Sequence, residues 1–217
     1  QQHSHFIAAR HFYSLAKASL RISKECGVAP WMDRTKWPKG WLPIDTYTKA
    51  VDDITTFNYR YDWEALRAQV IENKGIGHSS LAAYMPGESS SQNLNATNSI
   101  YPIREGNVLK TDGAKTNIFI APQWSTLQYN YESAWDIPVT DLADHYAIFQ
   151  KFTDQAISCD YYHDFTKPDS ELGKKKLLLD FIYKHKLGIK TQYYTNSRTN
   201  DSENDQEAGC AGGGCSL

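Results

Sequence analysis

Ser79-Ser-Leu-Ala-Ala-Tyr-Met-Pro-Gly-Glu-Ser-Ser-Ser-Gln92 reads as a strand, a turn and a helix start in immediate succession. Ser79 to Met85 is a short apolar run between Gly77 and Pro86-Gly87, and the pattern predicts a buried strand. The turn that follows is built of small residues. The backbone N–H groups of Gly87, Glu88, Ser89, Ser90 and Ser91 are placed to converge on an anion. A helix starting near Ser90 or Ser91 adds the positive end of its dipole. Together these make a phosphate cradle in the manner of a P-loop, without the P-loop's Gly and Lys pattern. The plainer reading is a polar turn with a serine as helix N-cap. Glu88 argues against an anion unless it faces a substrate hydroxyl.

Outward from this stretch, helical and extended patterns alternate. Residues 4 to 26 predict a long helix closed by Gly27 and Pro30, with Phe12, Leu15, Ala16 and Leu20 at helical spacing. A connection rich in Trp and Pro follows (Trp31, Trp37, Trp41, Pro38, Pro43), expected to pack on a larger surface. Ile44 to Ile54 predicts a short helix. Asp62 is placed as the N-cap of a helix from Trp63 to Asn73, with Gly75 at its C′ position. Residues 106 to 120, with Asp112-Gly113 inside, predict a hairpin. Leu127 to Trp135, Asp141 to Ser158 and Lys174 to Lys186 predict helices, the last ended by Gly188. Ile189-Lys-Thr-Gln-Tyr-Tyr194 predicts a strand. The order of strand, loop, helices and strand is that of an α/β fold. Past Arg198 the chain turns polar and glycine-rich, and predicts disorder.

Composition excludes several classes. The chain has 217 residues, 41% of them hydrophobic, with six Trp and fourteen Tyr, enough for one sizeable core. A formal charge of -2 carries no basic footprint for nucleic acid. No apolar run is long enough to span a membrane. Gln1-Gln-His-Ser-His-Phe6 lacks the basic and apolar regions of a signal peptide, so a cytoplasmic protein is expected. The sequons at Asn95 and Asn200 are then chance. The start lacks a Met and enters a helical pattern at once, which suggests a piece of something longer. Four cysteines are too few for a disulfide scaffold. Cys26 and Cys159 stand alone and are expected to be buried and inert.

Two other constellations carry chemistry. Tyr193-Tyr194 lies on the last strand, where neighbours face opposite sides, so one phenol is expected to point inward and the other away. Two phenols in this place suit an electron and proton relay; the plainer reading, which the residues alone favour, is aromatic β-propensity. The second is Cys210-Ala-Gly-Gly-Gly-Cys215, near the end of the acidic tail. Two thiols on a flexible segment suit thiol–disulfide exchange with a distant site. From Thr199 to Cys210 the contour reach is at most roughly 36–40 Å, and the r.m.s. span is about 18 Å. A metal half-site and incidental cysteines remain as alternatives. His3, His5 and His11 have the wrong spacing for one metal and read as surface or interface residues.

Several motifs act in combination: Leu42-Pro-Ile-Asp-Thr-Tyr47, Tyr61-Asp-Trp-Glu-Ala-Leu-Arg67, Met85-Pro-Gly-Glu-Ser-Ser-Ser-Gln92, Asn95-Ala-Thr-Asn98, Gln150-Lys-Phe-Thr-Asp-Gln-Ala-Ile-Ser158, Gly188-Ile-Lys-Thr-Gln-Tyr-Tyr-Thr-Asn-Ser-Arg198 and the Cys-x-x-x-x-Cys tail. With these the chain resembles the C-terminal part of the large, catalytic subunit of class I ribonucleoside-diphosphate reductases, from about Trp41 to Leu217.

The resemblance implies a C-terminal portion of a ten-stranded α/β barrel over residues 1–198, and a flexible redox-active tail over 199–217. The family's Pro-Ser-Glu-Thr-Ser-Ser loop holds the substrate diphosphate. Its counterpart here is Pro86, Gly87, Glu88, Ser89, Ser90 and Ser91, with Gly87 in place of a Ser and Ser89 in place of Thr. Gly87 removes one hydroxyl from the loop, and backbone donation there survives. Tyr193 matches the inner and Tyr194 the outer member of the family's radical-relay pair. Cys210 and Cys215 match the dithiol that re-reduces the active site and is itself reduced by thioredoxin or glutaredoxin. The radical cysteine, the active-site cysteine pair and the nucleotide effector sites of the family lie upstream, and Cys26 and Cys159 match none of them. The implied partners are an N-terminal part of the large subunit and a small subunit that holds the metal-radical cofactor. The chain is then inactive alone. The alternative is an assembly remnant that binds a partner without supporting turnover.

Overall fold

A periodic apolar stripe makes the first helix. In α1 (Gln2–Cys26) the buried residues are His5, Ala8, Ala9, Phe12, Ala16, Ser19, Leu20 and Ser23, a spacing of three and four that keeps them on one face. The helix stops at Gly27, whose φ of 86° ends helical geometry and whose N–H donates to the Ser23 carbonyl. The computed structural model describes residues 1–55, 60–112, 115–167 and 174–199. The tail beyond Thr199, with Cys210 and Cys215, lies outside the described residues, as does the expectation of disorder there.

The Trp-rich connection folds as 3-10 turns (Met32–Arg34, Trp37–Lys39, Pro43–Asp45, Lys49–Asp53). Trp37 is buried, lies parallel to the Phe12 ring at 6.4 Å, and donates its indole N–H to the Ser79 carbonyl at 3.0 Å. Trp31 and Trp41 face outward instead, with Arg34 and Lys36 over their rings. Ile44 to Ile54 forms two 3-10 turns and no regular helix. Pro43 and the Asp45 side chain, which accepts the Leu42 N–H, fix a tight turn in the first half.

Helix α2 (Trp63–Glu72) is capped as its sequence predicts: the Asp62 carboxylate accepts the Ala65 N–H at 2.8 Å. Its end differs by one residue. Lys74 takes the left-handed C′ position (φ 58°) and donates to Ile71, while Gly75 donates to Val70 as C″. Arg67 ties α2 to the turns through two 2.7 Å contacts with Asp45.

Helix α5 (Val139–Gln150) is buried almost all round, through Val139, Leu142, Ala143, Tyr146, Ala147, Ile148, Phe149 and Gln150. It forms the centre of the core, touching α1, α6 (Lys174–Lys186) and β3 (Tyr161–Asp164). The expected helix to Ser158 ends eight residues early. The Asp154 carboxylate accepts the amides of Leu81 (2.8 Å) and Ala82 (2.9 Å), and Gln155 donates to Ala82. These bonds turn the chain into an extended segment that still buries Phe152 and Ile157. Apolar spacing alone did not show that change of geometry. The helix expected over 127–135 is also replaced, by the short α4 (Trp124–Leu127), a 3-10 turn (Gln128–Asn130) and irregular chain. There Ala134 and Ser133 bond to the carbonyls of Ile103 and Arg104.

The extended chain forms two units. β1 (Asn107–Asp112) and β2 (Lys115–Ile120) make the expected antiparallel hairpin. β3 pairs in parallel with β4 (Thr195–Arg198), with Tyr161 opposite Thr195. On its other edge the segment leading into β3 bridges in parallel with Tyr84, opposite Ile157. Residues 82–85, 155–164 and 193–198 therefore run side by side in one direction. Helix α6 crosses from β3 to β4, an α/β arrangement. The stretch from Ser79 to Met85 is less buried than its composition predicts: Ala82 is buried and Tyr84 half-buried, but Met85 is 68% exposed. Only one of its edges is paired among the described residues. No helix of the described residues is long and apolar enough to cross a membrane.

Candidate functional site

The segment 82–85 ends in Pro86-Gly87, and α3 (Glu88–Leu94) begins at once, with Gly87 as N-cap. The helix starts earlier than Ser90 or Ser91. Its register decides which amides face outward. The Gly87 N–H donates to the Asn98 side-chain oxygen at 2.7 Å, and the Ser91 N–H donates to the Gly87 carbonyl at 2.7 Å. Of the five expected donors, those two are spent inside the loop. The amides of Glu88, Ser89 and Ser90 form the first helical turn, where a helix offers no acceptor of its own. The Ser89 and Ser90 side chains are exposed beside them. The Glu88 side chain lies outside the described residues. Gly87 has φ −117°, open to any residue, and a Cβ there would meet the Ser90 Cβ at 3.8 Å. Asn98, from the Asn95-Ala-Thr-Asn98 motif, thus holds the loop, a role its sequence spacing did not reveal.

Tyr193 and Tyr194 lie on the far side of the central segment. Tyr193 N–H donates to the Cys159 carbonyl at 2.9 Å, and Tyr161 N–H donates to the Tyr194 carbonyl at 2.9 Å. The expectation that the phenols face opposite sides is wrong. Their ring centroids are 4.0 Å apart at an interplanar angle of 54°, and the residues are 46% and 43% exposed. The residues 189–194 are not regular strand, which begins only at Thr195, so strand alternation does not govern them. The Pro86 loop and the tyrosine pair flank the same central segment, two strand spacings apart, or roughly 10 Å.

Behind the pair the chain is aromatic and buried. Tyr101 donates its hydroxyl to the Ser158 carbonyl and Tyr146 donates to the Asp160 carbonyl at 2.8 Å. Burial pushes both phenols well above their ordinary range. Cys159 is buried, and its thiol is pushed up to about 12 by burial and then by the Asp160 charge, so it stays protonated and inert as expected. Cys26, expected to be buried, is exposed beyond the apolar stripe at the end of α1. Asp160 is buried, which raises its carboxyl, against the lowering effect of hydrogen bonds from the Tyr194 N–H and the Asn196 side chain.

The histidines divide. His3 is exposed. His5, expected at the surface or an interface, is fully buried with its ring edge-on to Phe152 at 4.8 Å. His11 Nδ1 lies 2.8 Å from the Tyr84 hydroxyl. Among the described residues no group of His, Cys, Asp or Glu is arranged to hold a metal ion.

A family profile described as the barrel domain of ribonucleotide reductase matches residues 2–124 and 120–195. The chain is 42% identical over 209 residues to the ribonucleoside-diphosphate reductase subunit alpha of Haemophilus influenzae. It is 39% identical over 216 residues to ribonucleoside-diphosphate reductase 1 subunit alpha of Escherichia coli, and 32% identical over 211 residues to the subunit alpha of Enterobacteria phage T4. Each alignment covers 94% of this chain and 28% of the relative, so the chain spans little more than a quarter of their length. The chain belongs to the ribonucleotide reductase barrel family and corresponds to a C-terminal piece of its class I alpha subunits.

Proposed function

We propose that the chain completes the ten-stranded barrel of a ribonucleoside-diphosphate reductase large subunit and works only with the upstream part of that subunit. The reaction replaces the ribose 2′-hydroxyl of a ribonucleoside diphosphate with hydrogen. A dithiol supplies two electrons and two protons, becomes a disulfide, and water leaves. The loop Pro86 to Ser91 binds the diphosphate, through the outward amides of Glu88, Ser89 and Ser90 and the serine hydroxyls. Tyr194 receives the oxidising equivalent and Tyr193 passes it inward. A phenoxyl at Tyr194 takes an electron and a proton from the Tyr193 phenol, which becomes the phenoxyl. The equivalent originates outside this chain, in a small subunit bearing a metal-radical cofactor. Cys210 and Cys215 then reduce the active-site disulfide by exchange, and thioredoxin or glutaredoxin reduces them. Nucleotide effectors bind the upstream part, and the assembly is cytoplasmic.

The observation that carries this reading is the close tyrosine pair, 4.0 Å between ring centroids, on the central segment whose other edge bridges to Tyr84, just ahead of the Pro86 loop. The test combines the chain with its upstream part and the small subunit, and measures deoxynucleotide formation with thioredoxin. Turnover is expected only from the complete mixture. Tyr193→Phe and Tyr194→Phe should each abolish it while leaving assembly intact. Cys210→Ser with Cys215→Ser should stop thioredoxin-dependent turnover, and a small dithiol that enters the barrel should restore it. A soluble complex with no turnover would make the chain an assembly remnant.

A further inference from the structure

The close approach of the Tyr193 and Tyr194 rings has a cause in the backbone. The register of β3 with β4 sets Tyr161 opposite Thr195. In a regular parallel ladder continued backward from there, Tyr194 N–H would donate to the Cys159 carbonyl. Instead Tyr193 N–H occupies that carbonyl, at 2.9 Å. The chain has slipped by one residue, as at a β-bulge, and two successive side chains come to one face. The slip leaves the Tyr194 N–H without its ladder acceptor. The Asp160 carboxylate, from the neighbouring strand, takes it: Oδ1 lies 3.2 Å from the Tyr194 nitrogen. The Tyr194 peptide is thereby held at both ends, since its carbonyl accepts the Tyr161 N–H. Asp160 is 5% exposed, a costly place for a carboxylate. A ladder without the slip would need no side chain there.

We propose that Asp160 is a positioning residue for the tyrosine pair: its side-chain oxygen replaces the ladder acceptor lost at the slip and so keeps both phenol rings on one face. The consequence for turnover rests on reading Tyr193 and Tyr194 as a relay; the geometry of the slip does not. Asp160→Asn keeps an acceptor oxygen in place. Asp160→Ala removes it, and Asp160→Leu removes it while filling the volume.

Two measurements test this. The first is hydrogen exchange at the Tyr194 amide in the tyrosine-labelled 217-residue chain, followed by NMR. The second is kcat and KM in the assembled reductase. Exchange at Tyr194 should speed up about 10-fold or more in Asp160→Ala and stay near its starting rate in Asp160→Asn. In the same order kcat should fall by about 10- to 100-fold and stay near normal, with KM for the diphosphate little changed in both. If Asp160→Ala does not fold, Asp160→Leu takes its place. Unchanged exchange in a folded variant lacking the oxygen would overturn the proposal. So would an Asp160→Asn variant as impaired as Asp160→Ala, because charge rather than the amide contact would then be at work. Should Tyr193→Phe and Tyr194→Phe both retain turnover, the relay reading fails, and the exchange measurement alone decides the role of Asp160.

Discussion

His5 should make the stability of this chain fall as pH drops through the range just below neutrality. It lies on the inner face of α1 with no exposed surface, and its pKa is lowered to about 4. Burial is the largest cause, and the Lys151 charge the next; Asp52 acts in the opposite sense. Lys151 is itself buried and paired with Asp52 at 2.5 Å. The sign follows from proton binding. In the unfolded chain His5 protonates near pH 6.5, and in the folded chain only near 4. Between these values the unfolded state holds more protons, so lowering the pH favours it. At about 1.4 kcal/mol per pH unit, that gap amounts to roughly 3 kcal/mol lost by about pH 4. Other groups titrate nearby: His145 and His163 are also lowered, and Asp144 and Asp160 are raised. The comparison that isolates His5 is with His5→Gln, which is polar and does not titrate. Urea unfolding at about pH 7.5 and about pH 4 gives the loss for each protein. The original chain should lose roughly 2–3 kcal/mol more than the variant. Parallel stability curves for the two would refute the reasoning, whatever their separation at neutral pH.

Asp154→Ala removes two hydrogen bonds to the Leu81 and Ala82 amides and should cost about 2–4 kcal/mol in urea unfolding, with about half of that for Asp154→Asn. A cost below about 1 kcal/mol would mean that these bonds do not hold the segment in place. Gly87→Ser should fold with a change within about 0.5 kcal/mol, because φ −117° and a 3.8 Å neighbour leave room for Cβ and Ser is a good N-cap. A thermal midpoint lowered by several degrees would contradict the loop geometry. Alkylation of the native chain followed by peptide mass spectrometry should label the exposed Cys26 and spare Cys159, whose thiol is buried and raised to about 12. Labelling of both at similar rates before urea is added would contradict that burial.

What the sequence shows and what it hides divide along a physical line. Local patterns were legible: the α1 stripe, the Asp62 cap and the hairpin each depend on residues a few positions apart. Features set by a partner distant in sequence were not. The end of α5 depends on Asp154 reaching Leu81 and Ala82, and nothing in the apolar spacing of 148–157 reports it. The donors of the Pro86 loop depend on Asn98, which consumes the Gly87 amide. The face taken by Tyr194 depends on Asp160, on the adjacent strand. In all three cases a side-chain oxygen takes a backbone N–H that regular structure would have paired or left open. Local periodicity assumes that the backbone is satisfied by regular pairing, so it fails where a side chain substitutes. Two of these three substitutions fall at the candidate sites, the Pro86 loop and the tyrosine pair. A regular strand would send neighbouring phenols to opposite faces; two rings on one face require the ladder to be broken, and a broken ladder inside a packed sheet requires a replacement acceptor. The carboxylate of Asp160 supplies one.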